Sequence, residues 1–300
     1  TWGWEWGSDA MLVALDEIKG LGANWVTIHP YARIRADGSV RGWRLDGDVT
    51  WLSRPIAEAK KRGLKILIKP HLAYWGSPFS WRGEITFKTD AEWERFWTGY
   101  EAWILRVAEV CKDADSFAVG TELDKTLGHE ARWRGLIAKV RKRIKTPLTY
   151  AANWTDYQRV GFWDALDVIG IQGYFPLVDH QRPPEDAELE AGWKRLLTRL
   201  DAYAAKTERK VVLTELGYDR SLLAAAKPWE GGSRAQRNDP AAEELQRRCM
   251  DTALRAINSS QTVVGCFLWK WFAGETRGED FLASTPVIRK VIRARWKKPE

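Results

Sequence analysis

Histidine and cysteine are scarce in this chain: four His and three Cys in 300 residues. The cysteines, Cys111, Cys249 and Cys266, are odd in number and far apart. That spacing argues against a disulfide framework and for buried thiols. The histidines, His29, His71, His129 and His180, form no His-x-His on a strand and no His-x-x-x-His on a helix. Metal-ligand spacing is therefore missing, and neither a catalytic metal nor another cofactor is expected. No phosphate loop and no Ser-His-Asp elbow occurs. No apolar run approaches the ~18 residues needed to span a bilayer, so no membrane span is expected. No linker or low-complexity segment interrupts the chain, and residues 1–300 are expected to form one domain. No secretory leader is visible. The chain opens at Thr1, and a secreted or periplasmic setting with the leader removed is favoured.

Charge is lopsided but dispersed. The net charge is +7, yet Lys and Arg follow polar helix faces and build no nucleic-acid motif. A solvated basic surface is expected, with no nucleic-acid partner. A monomer is expected.

Tryptophan is abundant, 19 residues in all, more than core packing usually calls for. Trp offers a flat apolar face and one N–H donor, which suits the apolar faces and hydroxyl edges of sugar rings. About half are assigned to the core. Trp93, Phe96, Trp97, Tyr100, Ile104, Val107 and Val110 recur at i, i+3, i+4, i+7 and mark the buried face of a helix.

Apolar strands alternate with helices throughout. Seven strands are expected at 23–31, 64–72, 116–123, 148–154, 167–175, 210–218 and 262–272, with "TWGWEW" at 1–6 as the end of an eighth. Helices are expected at 11–22, 51–63, 90–111, 130–144, 157–166, 187–206, 240–258 and 286–296. Thr89 with Glu92 reads as a capping box. Near-continuous apolar strands followed by helices imply a parallel sheet covered by helices. Eight such units predict a (β/α)8 TIM barrel, an α/β single domain. A doubly wound sheet is the alternative, but it usually shows a glycine-rich loop after its first strand.

In such a barrel the chemistry lies at the C-terminal strand ends. Polar residues gather there: His29 and Arg33, Lys69 and His71, Glu122, Asn153, Gln172 and Tyr174, Glu215, and Trp269. "AVGTELDK" and "VLTELGYD" each place a glutamate at the end of a buried strand, the fourth and the seventh. A buried carboxylate is costly unless paired or used. One glutamate alone could be a salt-bridge partner. Two over one barrel mouth suit glycosidic bond cleavage, in which one protonates the leaving oxygen and the other attacks or activates water. Two long loops, 74–88 with Trp75, Phe79 and Trp81, and 219–239 with Trp229, should wall a glycan cleft.

"VGTEL", "LTELGY", "ANWV" and "KPH", in this order and register, resemble glycoside hydrolase family 113 of clan A, mainly β-1,4-mannanases. The resemblance covers nearly the whole chain. It implies a retaining enzyme with Glu122 as acid/base, its pKa raised, and Glu215 as nucleophile. It implies that Tyr174 bonds the nucleophile, that Trp269 floors the sugar at the cleaved bond, and that Lys69 and His71 bond hydroxyls. Thr121 stands where many clan members carry the Asn that reads the sugar 2-hydroxyl. Asn153, Trp154, Trp75, Trp81 and Trp229 are further substrate-binding candidates. The expected partner is a β-linked polysaccharide or oligosaccharide, mannan first. An acidic cell-surface or peptidoglycan-type polymer and a non-catalytic glycan-binding barrel remain open alternatives.

Overall fold

The computed structural model describes residues 4–42, 45–274 and 280–297. Ten strands are described: β1 (Trp25–Ile28), β2 (Tyr31–Ile34), β3 (Val40–Gly42), β4 (Lys65–Ile68), β5 (His71–Ala73), β6 (Ser116–Thr121), β7 (Leu148–Ala152), β8 (Ile169–Gln172), β9 (Val211–Leu216) and β10 (Val263–Leu268). The helices are α1 (Ala10–Gly20), α2 (Thr50–Lys61), α3 (Asp90–Val110), α4 (Glu130–Arg143), α5 (Asp186–Thr207), α6 (Arg234–Arg237), α7 (Pro240–Ser259) and α8 (Pro286–Trp296). Seven strands form one sheet in the order β1-β4-β6-β7-β8-β9-β10, which follows the chain. With a helix after nearly every strand, this is the (β/α)8 class that strand–helix alternation predicts.

Two departures have local causes. The expected strands at 23–31 and 64–72 each break at a proline, Pro30 and Pro70. Proline has no N–H for the ladder, and beyond it the chain re-forms in a second sheet, β3-β2-β5. There Tyr31 pairs with His71 in parallel register. The expected eighth strand at 1–6 is a correction: Trp4–Gly7 is a 3-10 helix, and residues 1–3 lie outside the described residues. Likewise the helix expected at 157–166 is two short 3-10 turns, Tyr157–Arg159 and Trp163–Ala165.

The chain divides into two compact units: Thr1–Leu12 with Asn24–Gly170, and Val13–Ala23 with Ile171–Glu300. The first is built around aromatics. On α3, Phe96, Trp97, Tyr100, Ile104 and Val107 are buried, and Trp133 of α4 stacks on Phe162 at 5.4 Å. Burying an aromatic of this size contributes roughly 1.5–3 kcal/mol. The Thr89–Glu92 capping box opens α3, worth about 1 kcal/mol. In the second unit Asp239 caps α7, accepting from Ala241 N, with Pro240 in the first turn. Cys111 and Cys249 are buried free thiols, and burial pushes each up to about 12.

Candidate active site

In the first unit β6 delivers Glu122, and each residue of its turn is held by a neighbour. A Cβ on Gly120 would lie 2.7 Å from the Trp133 ring and 2.9 Å from the Tyr100 hydroxyl, so glycine lets the aromatics close on the strand. Thr121 Oγ1 donates to the Pro70 carbonyl at 2.9 Å. Leu123 N donates to the Tyr150 hydroxyl at 2.8 Å. Between them Glu122 adopts φ 50°, a left-handed conformation that costs a non-glycine residue roughly 1–3 kcal/mol and marks functional turns. Arg82 Nη1 donates to Glu122 Oε2 at 2.8 Å, and Arg82 Nε donates to the Leu72 carbonyl at 3.1 Å. The two charged side chains are only 12% and 11% exposed, so solvent screens this pair weakly.

The other first-unit candidates surround this turn or build its loops. Lys69 follows β4 and is fully buried. His71 opens β5, its ring 4.7 Å from His29 and edge-on to Tyr31 at 5.6 Å. Burial, then the charges of Lys69 and Arg82, hold His29 well below its ordinary value. Burial and then Arg82 do the same to His71. Both imidazoles are thus neutral at neutral pH, each with one donor and one acceptor nitrogen. Trp75 is 47% exposed, with its ring 5.8 Å from Tyr31. Trp81 folds onto its own loop: a Cβ on Gly83 would fall 2.0 Å from its ring. Asn153 Nδ2 donates to Asp124 Oδ2 at 3.2 Å, and Trp154 beside it is half-buried.

In the second unit β9 delivers Glu215. Tyr174 donates its phenolic proton to Glu215 Oε2 at 2.7 Å, inside a buried setting where such a bond is strong. Thr214 Oγ1 donates to Gln172 Oε1 at 2.8 Å. The Glu215 carbonyl accepts from Gly173 N at 2.6 Å, and the Leu216 carbonyl from Trp269 N at 2.8 Å. Glycines again permit close approach: a Cβ on Gly217 would lie 2.5 Å from the Trp269 carbonyl. Trp269 directly follows β10 and is half-buried, with Lys270 Nζ 5.7 Å from its ring centre. Asp219 organises the loops. Its carboxylate accepts from Gly232 N (2.6 Å), Phe281 N (2.8 Å) and Arg237 Nε (3.4 Å). The Phe281 ring then meets Tyr174 edge-on at 6.0 Å. Trp229 stands 43% exposed on the 219–239 loop, which carries α6 with its own Ser233–Gln236 capping box.

Sequence reasoning passed over Arg82, Asp124 and Asp219 as functional residues. Each lies next to a residue it did single out: Arg82 beside Trp81, Asp124 two positions after Glu122, and Asp219 at the end of "TELGYD". Adjacency to a buried strand-end glutamate was the available signal for Asp124 and Asp219, whereas Arg82 had only its neighbour Trp81.

Parallel strands alternating with helices define a (β/α)8 barrel, here with a buried glutamate at the end of β6 and of β9. The chain belongs to Glycoside Hydrolase Family 113, whose family model matches residues 1–281. No curated protein matches the chain. Among solved structures it is similar to a GH113 β-1,4-mannanase complex, at 22% identity and TM-score 0.82 over 98% of this chain and 95% of that one. It is also similar to the GH113 β-mannanase of Alicyclobacillus acidocaldarius in complex with ManMIm, at 23% identity and TM-score 0.81 over 97% and 92%. A β-glucuronidase of Ruminococcus gnavus matches at 14% identity and TM-score 0.64, over 96% of this chain and 46% of that one. At these identities the likeness speaks for the fold.

Proposed function

We propose that the protein is a retaining glycoside hydrolase that cleaves a β-linked polysaccharide, β-1,4-mannan first, with residues 1–300 as one catalytic domain. The observation that carries this reading is the parallel chemistry of the two Thr-Glu-Leu segments. Each ends a buried strand in a glutamate, and each glutamate has one carboxylate oxygen fixed by a donor side chain, Arg82 or Tyr174. Family membership and the mannanases among its structural relatives support β-1,4-mannan as the first substrate reading.

In the proposed reaction Glu215 attacks the anomeric carbon as Glu122 protonates the departing oxygen. The glycosidic bond breaks, and an ester bond to Glu215 forms. Glu122, now ionised, takes a proton from water. The resulting hydroxide displaces Glu215 and restores the anomeric configuration. The Tyr174 bond fixes the orientation of the Glu215 carboxylate, as attack on one carbon requires. Arg82 favours an ionised Glu122, which suits the second half-reaction. In the first, substrate must loosen that pair before Glu122 serves as acid. Neutral His29 and His71 can give and accept hydrogen bonds with sugar hydroxyls, and Trp269 offers a face for the ring at the cleaved bond. Arg82 at the Glu122 turn and the Lys69 charge near His29 and His71 add two cations to these strand ends, which favours an acidic glycan as the second substrate reading.

The test is reducing-sugar release on mannan, glucomannan, cellulose, xylan, peptidoglycan and a polyuronate. Glu215→Ala should abolish turnover. Glu122→Ala should keep turnover of dinitrophenyl glycosides and, with azide, yield a β-glycosyl azide. Release from none of the polymers would favour a non-catalytic glycan binder. Identical behaviour of the two variants would remove the assigned roles.

A further inference from the structure

Positive charge gathers at the end of the first unit opposite Glu122. β1, β4, β6 and β7 are parallel neighbours, so the segments that enter them share one end of the sheet. Six exposed cations lie there. Lys60 sits in the last turn of α2, and Lys65 opens β4. Lys112 lies between α3 and β6. Lys142 and Arg143 sit in the last turn of α4, and Lys145 lies between α4 and β7. Their neighbours are neutralised: Lys61 and Arg62 pair with Glu58 at 2.6 and 2.7 Å, and Arg141 pairs with Asp167 at 2.9 Å. None of the six stands in an ion pair among the described residues. Of the other acids beside them, Asp115 accepts from Ile66 N at 2.9 Å and Asp113 is exposed. Cations in a last turn complement the helix macrodipole, which accounts for Lys60, Lys142 and Arg143. Lys65, Lys112 and Lys145 lie beyond the helix ends.

The chemistry of this face selects its partner. The exposed large apolar side chains among the described residues are Val13, Trp75, Trp229 and Val264, none of them here. The face therefore has no apolar wedge for a bilayer and no open platform for nucleic-acid bases. Beside the charge it has one half-buried indole. Trp25 opens β1 level with Lys65, and Lys65 Nζ lies 5.5 Å from its ring centre. An acidic sugar offers both matching features, an apolar ring face and a carboxylate. We propose that this face is a second, non-catalytic binding surface for a linear polyuronate, whose carboxylates lie along the cations while one sugar ring meets Trp25. β6 is six residues long, so the face and Glu122 stand roughly 20 Å apart. That is about twice the screening length of ~10 Å at 0.1 M salt. Binding here holds the protein on its polymer and leaves the chemistry at Glu122 unchanged. Release of counterions drives it, so it weakens steeply with salt.

Fluorescence anisotropy with end-labelled polygalacturonate and the intact chain tests the surface. It reads binding and not turnover, so it stands apart from the cleavage reading. Affinity should fall at least about tenfold between about 50 and 200 mM salt. The triple variant Lys142→Glu, Arg143→Glu, Lys145→Glu should lose at least about tenfold in affinity at ~50 mM salt, with its far-ultraviolet spectrum unchanged. If that variant does not fold, the same three residues changed to Gln decide, with an expected loss of about threefold or more. The control reverses three exposed cations of the second unit, Lys194, Arg234 and Lys290. It changes the net charge equally and should stay within about twofold of the parent. An equal loss in both triple variants would make the binding a net-charge effect and overturn the surface. So would a failure of polygalacturonate to bind. Equally tight binding of single-stranded DNA, or of vesicles rich in anionic phospholipid, lost in the Lys142–Arg143–Lys145 variant, would overturn the acidic polysaccharide as the partner.

Discussion

Tyr174 shows how much a single hydrogen bond can carry at the residue scale. Its hydroxyl contributes one bond to Glu215 Oε2, while its ring packs against Phe281. Tyr174→Phe removes the first and keeps the second. A hydrogen bond to a charged group is worth about 1.5–3 kcal/mol. The variant should therefore lose roughly 10- to 150-fold in kcat/KM on an aryl glycoside, with its melting temperature moved by only a few degrees. A loss in melting temperature with kinetics unchanged would make Tyr174 a packing residue. The tryptophans divide in the same way. Trp75 and Trp229 are exposed, and distant sugars are expected to reach them. Their Ala variants should cost about tenfold or less, and only on oligosaccharides long enough to reach them, judged against base stacking at ~1–3 kcal/mol as an upper analogue. Trp81→Ala should instead impair short and long substrates alike, because its ring packs the loop that carries Arg82. A ladder of oligosaccharides separates the three.

At the scale of elements, the long strands and helices were legible and the loops were not. The caps at Thr89 and Asp239 lie where local sequence puts them, because a cap needs only residues three or four apart. The break of two strands at Pro30 and Pro70 was legible in principle, since a missing N–H is a property of the residue. The loop after β9 was not. Its order comes from Asp219, whose carboxylate gathers Gly232, Arg237 and Phe281, the last 62 residues away. That carboxylate has 0% exposure, and removing it leaves buried donors unmet at about 1–3 kcal/mol each. Asp219→Ala should therefore lower unfolding stability by roughly 3–5 kcal/mol, read as a shifted urea midpoint at unchanged slope. A shift below ~1 kcal/mol would show that the loops hold without it.

For the whole molecule, the pH dependence of stability follows from three buried groups. His29 and His71 have folded pKa values below their unfolded one. The unfolded chain therefore binds more protons on acidification, and stability falls as pH drops below about 6.5. Asp124 works in the opposite sense. Its folded value, about 8, exceeds its ordinary 3.8, so its contribution is full in acid and drains away as pH rises from there through about 8. Two opposing slopes place the maximum near pH 6.5–7. Asp124→Asn should remove the alkaline decline and leave a plateau between about pH 7 and 8, seen in melting temperature against pH. A decline unchanged in that variant would assign it to another group.

The sequence by itself determined the alternation of seven strands with helices, the two Thr-Glu-Leu strand ends and the apolar face of α3. All of these rest on periodicity and on residues within a few positions of one another. Only the tertiary structure decided which cation meets Glu122, which side chain meets Asp124 and which loop Asp219 organises. Arg82 and Glu122 are 40 residues apart, and their contact depends on where β5 and β6 end and how the intervening loop folds back. Pattern reasoning reads which residue types a strand end carries. Partners brought together by loop closure carry no periodic mark in the chain, and burial, with the carboxylates of Asp156 and Glu122 nearby, turns Asp124, an ordinary acid in sequence, into a group that holds its proton at neutral pH.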